Sequence, residues 1–366
     1  MHFRSMERKD QDSVMAFIEN NSSKKRSLSE WDWEFNLYNQ LQQVFVVAEE
    51  NNDIIGTQAL LPIPLIRAGK TILSAKSEET LVHQEQRGKN VFSQMYALVF
   101  AKAISNGIQM IWGFTGANKP FSKIGFSFFD KGLSNYWYVT SVTLAYKQYC
   151  LHNGQKTLKG ILKRLIYLLI LSFIKIKGVL SFPGSKNIKY HIALLNEFDA
   201  VTDQLKNSIS RDLPDLITVD RDSQFMNWRV GQNPYYDHQV VGLYHISELV
   251  GYAVLAMSEH SWILDIMDIV LRPDHFEHGL PALVDELQMF ATKQKWGCIN
   301  FQLMPCSNEY SVKVLAGVKK AGFFRSIGGM QFILKILNNN IKHLYQDVNK
   351  WYVTGIMTEG IVHRKQ

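Results

Sequence analysis

The residues best equipped for chemistry are crowded into Ser77 to Phe92, SEETLVHQEQRGKNVF. Two carboxylates, Glu78 and Glu79, precede an apolar pair, Leu81 and Val82, and then a basic turn, Arg87-Gly88-Lys89-Asn90. Backbone N–H groups at a helix N-terminus lack intrahelical partners and sit at the positive end of the helix dipole, so a turn opening a helix is suited to a pyrophosphate. Gly88 would let the backbone approach the anion, while Arg87 and Lys89 would add charge. A carboxylate just upstream could take a proton from an attacking nucleophile. Strand alternation would let only one of Glu78 and Glu79 face such a site, and Glu79 is the better placed; the competing reading is a solvated strand carboxylate. His83 stands beside the turn, where a structural role fits better than that of a base.

These residues need a strand before them and a helix after them, and the pattern supplies both. Val91, Met95 and Leu98 form one helical stripe with Phe92, Val99 and Ala103 beside it, and Asn106-Gly107 ends the helix. Ile108 to Phe114, IQMIWGF, reads as a buried strand, and Asn118 to Phe126, NKPFSKIGF, as a short helix with a glycine stop. Taken singly, Arg87 and Lys89 are ordinary surface charges and Gly125-Phe126 an ordinary helix stop. Strand, turn, helix, strand and short helix in this order are more specific.

The series resembles the GNAT superfamily of acyl-CoA-dependent N-acyltransferases, in which a strand leads to Q/R-x-x-G-x-G/A and a helix. Here the corresponding residues are Val82-His83-Gln84-Glu85-Gln86-Arg87-Gly88-Lys89-Asn90, with Asn90 and Phe92 where the family has its two glycines. Asn tolerates left-handed backbone, so the turn can form. NKPFSKIGF is similar to the family's second signature, an Asn followed by Y-x-K-x-G-F. The resemblance implies an acetyl-CoA (or other acyl-CoA) donor held by Leu81, Val82, Arg87, Gly88, Lys89, Asn90, Val91, Phe92, Asn118, Phe121 and Lys123. Asn118 would cap the short helix and could bond the pantetheine amide, and Lys123 could approach the phosphates. Phe121 replaces the tyrosine that usually protonates the departing thiolate, so the thiolate would leave unassisted. Glu79, with Glu78 second, would be the catalytic carboxylate. The attacking amine must be neutral, and the oxyanion needs a donor such as a strand N–H.

The 366 residues leave room for two or three domains, and 46% hydrophobic content suits a sizeable core. Cys150, Cys298 and Cys306 are too few and scattered for a disulfide framework. The charged start MHFRSMERKDQD shows no secretory signal, so a cytoplasmic location is expected. No His, Cys, Asp and Glu cluster has metal spacing, and His275, Glu277 and His278 read as a polar loop.

The net charge of +7 belongs to one segment. Between Asp130 and Glu197 there is no acidic residue, while Lys131, Lys147, Lys156, Lys159, Lys163, Arg164, Lys175, Lys177, Lys186 and Lys189 are all basic. The apolar run Leu165 to Ile174 at its centre would form a helix of only about 15 Å, too short to span a bilayer. Two readings stand: a buried connecting helix, or a surface helix over 156–177 making peripheral contact with the inner face of an anionic membrane. The lysines do not form one clean face. With Arg164 the segment's only Arg and no recognition motif, nucleic acid is not expected as a partner.

An internal repeat sets the architecture. Trp33 precedes Gly56 by 23 residues, as Trp228 precedes Gly251; Gly56 to Gly125 spans 69 and Gly251 to Gly322 spans 71. In the second copy a strand Leu264 to Leu271 leads to Arg272-Pro273-Asp274-His275, a helix with Leu280, Leu283, Val284, Leu287 and Phe290, the strand CINFQLM and Gly322-Phe323. Its turn lacks Arg-Gly-Lys, and Asp274 and Glu277 would repel a pyrophosphate. The expected fold is α/β, two tandem GNAT-like units, each a mixed, mainly antiparallel twisted sheet flanked by helices. Residues 1–145 would form the acyl-CoA-binding unit, 146–210 a basic and apolar connector, and 211–366 a degenerate second unit with a C-terminal helix.

Phe225-Met226-Asn227-Trp228-Arg229, Asn233-Pro234-Tyr235-Tyr236, Trp351 to Gly355, and Ser77-x-x-Thr80 look like long bacterial GNAT-type proteins found with surface-polysaccharide biosynthesis. That resemblance implies N-acylation of an amino sugar or related small amine at the seam between the copies. Two rivals remain: a non-catalytic acyl-CoA-binding or membrane-docked scaffold, suggested by Phe121 and the connector, and an aminoacyl transferase of cell-wall synthesis, which would bind coenzyme A little. The sequence leaves the oligomeric state open.

Overall fold

The structure is a computed structural model that describes residues 1–22, 25–36, 43–152, 158–181, 190–257, 262–326 and 329–358. The first half contains β1 (His2–Ser5), α1 (Gln11–Ser22), α2 (Leu28–Phe35), β2 (Val44–Glu50), β3 (Asp53–Arg67), β4 (Lys70–Val82), α3 (Val91–Ser105), β5 (Met110–Thr115), α4 (Asn118–Lys123), β6 (Ser127–Gly132) and β7 (Ser134–Val139). Two helices follow, α5 (Val142–His152) and α6 (Leu158–Ser181). The second half contains β8 (Tyr190–Leu195), α7 (Ala200–Asp212), β9 (Thr218–Val219), α8 (Ser223–Met226), β10 (Asp237–His245), β11 (Glu248–Met257) and β12 (Ile263–Leu271). It closes with α9 (Gly279–Lys293), β13 (Cys298–Leu303), α10 (Glu309–Lys320), β14 (Phe324–Arg325), β15 (Gln331–Ile336) and α11 (Lys342–Tyr345).

The sheets are mixed and mainly antiparallel, flanked by helices, as the sequence implied. The first sheet runs β1-β2-β3-β4-β5-β15-β6, with β9 paired to β3, and the second runs β14-β7-β13-β12-β11-β10-β8. Among the described strands, only β4 with β5 and β12 with β13 pair in parallel. The α3 face of the first sheet is packed by Leu60, Ala75 and Ile111 against Val91, Met95 and Val99. Its other face carries Ala59 and Leu61 against Val14, Phe17 and Trp31 of α1 and α2. Ser27 and Glu30 start α2 with a capping box.

Two strands cross between the halves. β7, from the first, lies beside β13 in the second sheet, and β15, from the second, lies beside β5 in the first. The exchange is reciprocal, as a pseudo-two-fold arrangement requires. Where the two segments cross, a Cβ on Gly132 would overlap the Met330 carbonyl, and one on Gly329 the Leu133 carbonyl. The repeat tryptophans meet near this axis: Trp33 and Trp228 stack with centroids 5.0 Å apart. Each donates its indole N–H to the other's carbonyl, Trp33 Nε1 to Trp228 O at 2.8 Å and Trp228 Nε1 to Trp33 O at 3.0 Å.

After the single turn of α11, the chain's last described stretch is not a regular helix. Trp351 to Met357 is buried, with one 3-10 turn at Gly355–Met357.

Candidate functional site

β4 and β5 pair only over Ser74 to Lys76 and Met110 to Trp112, then diverge. The divergence opens a cleft of about 720 Å³ between Ser77–Val82 on one wall and Gly113–Thr115 on the other. Its far end is the turn of Arg87 and Gly88 with Asn90, Val91 and Phe92 at the start of α3. Met330 and Ile333 line it from the second half of the chain, because the exchanged β15 lies beside β5.

The turn has the backbone that an anion cradle needs. Gly88 has φ +86° and Asn90, the N-cap of α3, has φ +62°, so Asn does hold the left-handed position. Arg87 is exposed and its Nε reaches the Val82 carbonyl at 3.4 Å. Lys89 donates to Gln86 Oε1 at 3.0 Å, and it is Arg87, not Lys89, that lines the cleft. Lys123 lines it, together with Lys119, which sequence reasoning missed although it lies in the same NKPFSK stretch. Leu81 and Val82 form the wall between this end and the carboxylates.

Asn118 corrects an expectation. The N-cap of α4 is Ala117, and Asn118 is the helix's first residue, its amide donating to Gln331 Oε1 at 2.7 Å. Its carboxamide is therefore engaged with the exchanged strand and does not cap the helix. Thr115 Oγ1 accepts from Ala117 N instead, at 3.0 Å. Phe121 is buried against Phe92, Tyr96 and Phe126, with centroids 5.2 to 5.6 Å away, and presents ring carbon to the cleft. Tyr96 of this cluster has its hydroxyl 2.7 Å from Ser77 Oγ, and burial pushes its pKa above the usual tyrosine range.

The two carboxylates do not alternate. Thr57 pairs with Leu81 but Ala59 with Glu78, so Glu79 and Thr80 together oppose Gln58 in a β-bulge. Glu79 takes φ +47°. In an unbroken strand it would share the face of Ser77, toward α3. The bulge instead brings it to Arg26, between α1 and α2, at 2.5 Å. Glu78 faces the same way, since its partner Ala59 packs under α1 and α2. The alternation argument fails here because a bulge resets the side-chain phase, and both carboxylates line the cleft.

Each is held by a buried cation. Glu78 pairs with Lys76, and Arg26 bridges Glu79 and Glu34, with Arg26 and Glu34 side chains 4% exposed and Glu79 1%. Tyr235 of the second half donates its hydroxyl to Glu34 at 3.0 Å, tying the cluster to the seam between the units. Sequence reasoning missed Arg26 and Lys76. The repeat carried a signal for Arg26: it stands seven residues before Trp33, as Arg221 does before Trp228. Arg221 is also buried and holds a carboxylate of the matching strand, Asp268 of β12, at 2.6 Å.

The second unit has the same divergence, and the chain fills it. β12 and β13 pair over Ile263–Ile266 and Cys298–Phe301, and beyond that point the C-terminal stretch enters. Met304 N donates to Val353 O at 2.9 Å, Thr354 Oγ1 to Asp268 Oδ1 at 2.8 Å, and Arg229 Nε to Ile356 O at 2.9 Å. The sequence suggested repulsion by Asp274 and Glu277 as the obstacle to a second cofactor; Asp274 is instead paired with Arg272, and the space between the strands is occupied by residues 351–357.

Residues 2–129 match the family model described as "Acetyltransferase (GNAT) domain". The match covers the first unit, which supplies most of the cleft's lining. A sequence search of curated proteins finds no match. Among solved structures, the chain is similar to a conserved protein of unknown function from Enterococcus faecalis V583, described as a "Probable N-Acyltransferase". The TM-score is 0.62 at 8% identity, over 92% of this chain and 73% of that one. It is also similar to a GCN5-related N-acetyltransferase from Anabaena variabilis ATCC 29413, with TM-score 0.60, 12% identity and coverage of 92% and 73%. A tandem GNAT protein from the clavulanic acid biosynthesis pathway matches with TM-score 0.53 at 12% identity, over 92% of this chain and 98% of that one. At these identities the likeness is one of fold, and the fold is that of tandem GNAT units.

Proposed function

We propose that the protein transfers an acetyl or other acyl group from coenzyme A to the amine of a small acceptor. The observation that carries this reading is the cleft itself, which has a left-handed, basic turn at a helix N-terminus at one end and two buried carboxylates at the other. The pyrophosphate would rest on the N–H groups of Gly88 and Asn90 beside Arg87, the Lys89 N–H being bonded to the Gln86 carbonyl, with the pantetheine arm running along Leu81 and Val82. The thioester then reaches the bulge at Glu79, where the broken ladder frees backbone N–H groups to stabilise an oxyanion. The amine enters from the α1–α2 side, where Arg26 joins Glu79, Glu34 and Tyr235. Its nitrogen attacks the thioester carbon, a carboxylate takes the nitrogen's proton, and the C–S bond breaks to release coenzyme A thiolate. Glu79 is the preferred acceptor of that proton and Glu78 the second. Phe121 supplies no proton, so the thiolate takes one from water.

The resemblance of Ser77-x-x-Thr80 and the Trp228 and Trp351 stretches to polysaccharide-associated proteins makes amino sugars the first acceptors to try. A cytoplasmic setting fits the three free cysteines, of which Cys298 and Cys306 are pushed up to about 12 by burial. Calorimetric titration of acetyl-CoA into the parent and into Arg87→Glu tests the donor site. Micromolar binding lost in the variant supports it, and no binding by the parent removes it. Phe121 favours one second reading, an acyl-CoA-binding scaffold; release of free thiol with any amine acceptor would exclude that reading.

A further inference from the structure

The helix α6 is docked by one face and bare on the other. Gly160, Leu171, Ile174 and Gly178 are buried, with Leu171 and Ile174 packed on Val139, Ala145, Ile263 and Cys298. Gly178 lets the helix approach so closely that a Cβ there would lie 3.1 Å from the Tyr138 ring. The opposite face carries Leu162, Leu165, Leu169, Phe173 and Ile176 at steps of three and four residues, each between 51 and 70% exposed. Eight of the nineteen exposed large hydrophobics among the described residues lie on this one helix, so this is a patch and not the usual scatter.

Charge identifies what covers it. Lys159 and Lys163 are exposed on one flank of the stripe, and no acidic residue occurs anywhere between Asp130 and Glu197. Lys175 is turned inward over the Tyr138 ring at 5.4 Å, while Lys156, Lys186 and Lys189 fall outside the described residues. A second copy of this chain is a poor fit, because two-fold pairing of the stripe would set basic flanks together with no carboxylate on the helix to offset them. An anionic bilayer surface matches both features: the stripe enters the acyl boundary and the lysines meet the headgroups. The helix is 24 residues, about 36 Å, and can lie along the surface. No helix among the described residues is long and apolar enough to cross a membrane.

We propose that α6 is an in-plane docking helix for anionic phospholipid bilayers. The sequence left a buried connector and a surface helix as alternatives, and the outward apolar stripe favours the second. Co-sedimentation of the full chain with vesicles of mixed phosphatidylglycerol and phosphatidylcholine, and of phosphatidylcholine alone, tests it. The parent should bind the mixed vesicles at low salt and phosphatidylcholine weakly. Leu169→Ser/Phe173→Ser, both exposed and so without consequence for folding, should lower the partition on the order of a hundredfold. Lys159→Glu/Lys163→Glu should lower it at least about tenfold, with a smaller salt dependence than the parent's. Thermal unfolding checks that both variants stay folded. No binding by the parent at low salt, binding retained by the Leu169→Ser/Phe173→Ser variant, or a parent dimer in sedimentation equilibrium that the same variant dissociates, would overturn the proposal.

Discussion

Arg26 offers the sharpest test of how the cleft is built. Its guanidinium is 4% exposed and bridges Glu34 and Glu79, themselves 4% and 1% exposed. Replacing it with methionine keeps most of the apolar stem but leaves two buried carboxylates without that cation. Removing one partner of a buried ion pair costs about 3–5 kcal/mol, because the remaining charge stays desolvated. Tyr235 still donates to Glu34, so the lower half of that range is expected. The penalty should depend on pH. The stranded carboxylates in Arg26→Met would retain protons in the folded state that the unfolded chain releases, so the variant regains stability as pH falls from 7 toward 5. The double variant Arg26→Met/Glu79→Gln should recover about 1–3 kcal/mol of the loss. Urea unfolding midpoints at the two pH values measure both effects. A cost under about 1 kcal/mol that does not change with pH would show that water screens the bridge and that the cleft's inner end is open.

Other perturbations separate chemistry from architecture. Glu79→Gln should lower kcat by about 100- to 10000-fold with the acetyl-CoA Kd unchanged, and Glu78→Gln by less; the reverse order in a thiol-release assay would exchange their roles. Trp33→Ala should cost about 3–5 kcal/mol in urea unfolding, whereas Trp33→Phe, which keeps a ring but loses the bond to Trp228 O, should cost about 1–3 kcal/mol. Gly132→Ala should disturb the strand crossing at Met330, so a fully cooperative unfolding transition at the parent midpoint would contradict the reciprocal exchange. Asp265 is raised to about 8 by burial, against a partial offset from Asn300. The folded chain thus keeps a proton that the unfolded chain loses near pH 4. Its contribution is complete below that pH and is lost as pH rises through 8, and Asp265→Asn should flatten this slope in unfolding free energy measured over that range.

The sequence by itself determined the local machinery. Arg87-Gly88-Lys89-Asn90 before an apolar stripe specified a turn and helix, because left-handed backbone and helical periodicity depend on a few adjacent residues. The repeat of Trp33, Gly56 and Gly125 at Trp228, Gly251 and Gly322 specified two like units, and NKPFSKIGF the short helix beside the cleft. Tertiary structure decided what depended on distant partners. β7 and β15 are short strands whose local pattern names no partner; each joins the sheet of the other unit, and the segments pass one another closely at Gly132 and Gly329. The face taken by Glu79 followed from a bulge against Gln58, and a register shift belongs to a pair of strands, not to either alone. Trp351 to Gly355 could be noticed in the sequence, yet its insertion between β12 and β13 depends on strands more than forty residues away. The run Leu165 to Ile174 reads the same whether buried or bare, since periodicity gives a helix its faces and the rest of the fold decides which one stays uncovered.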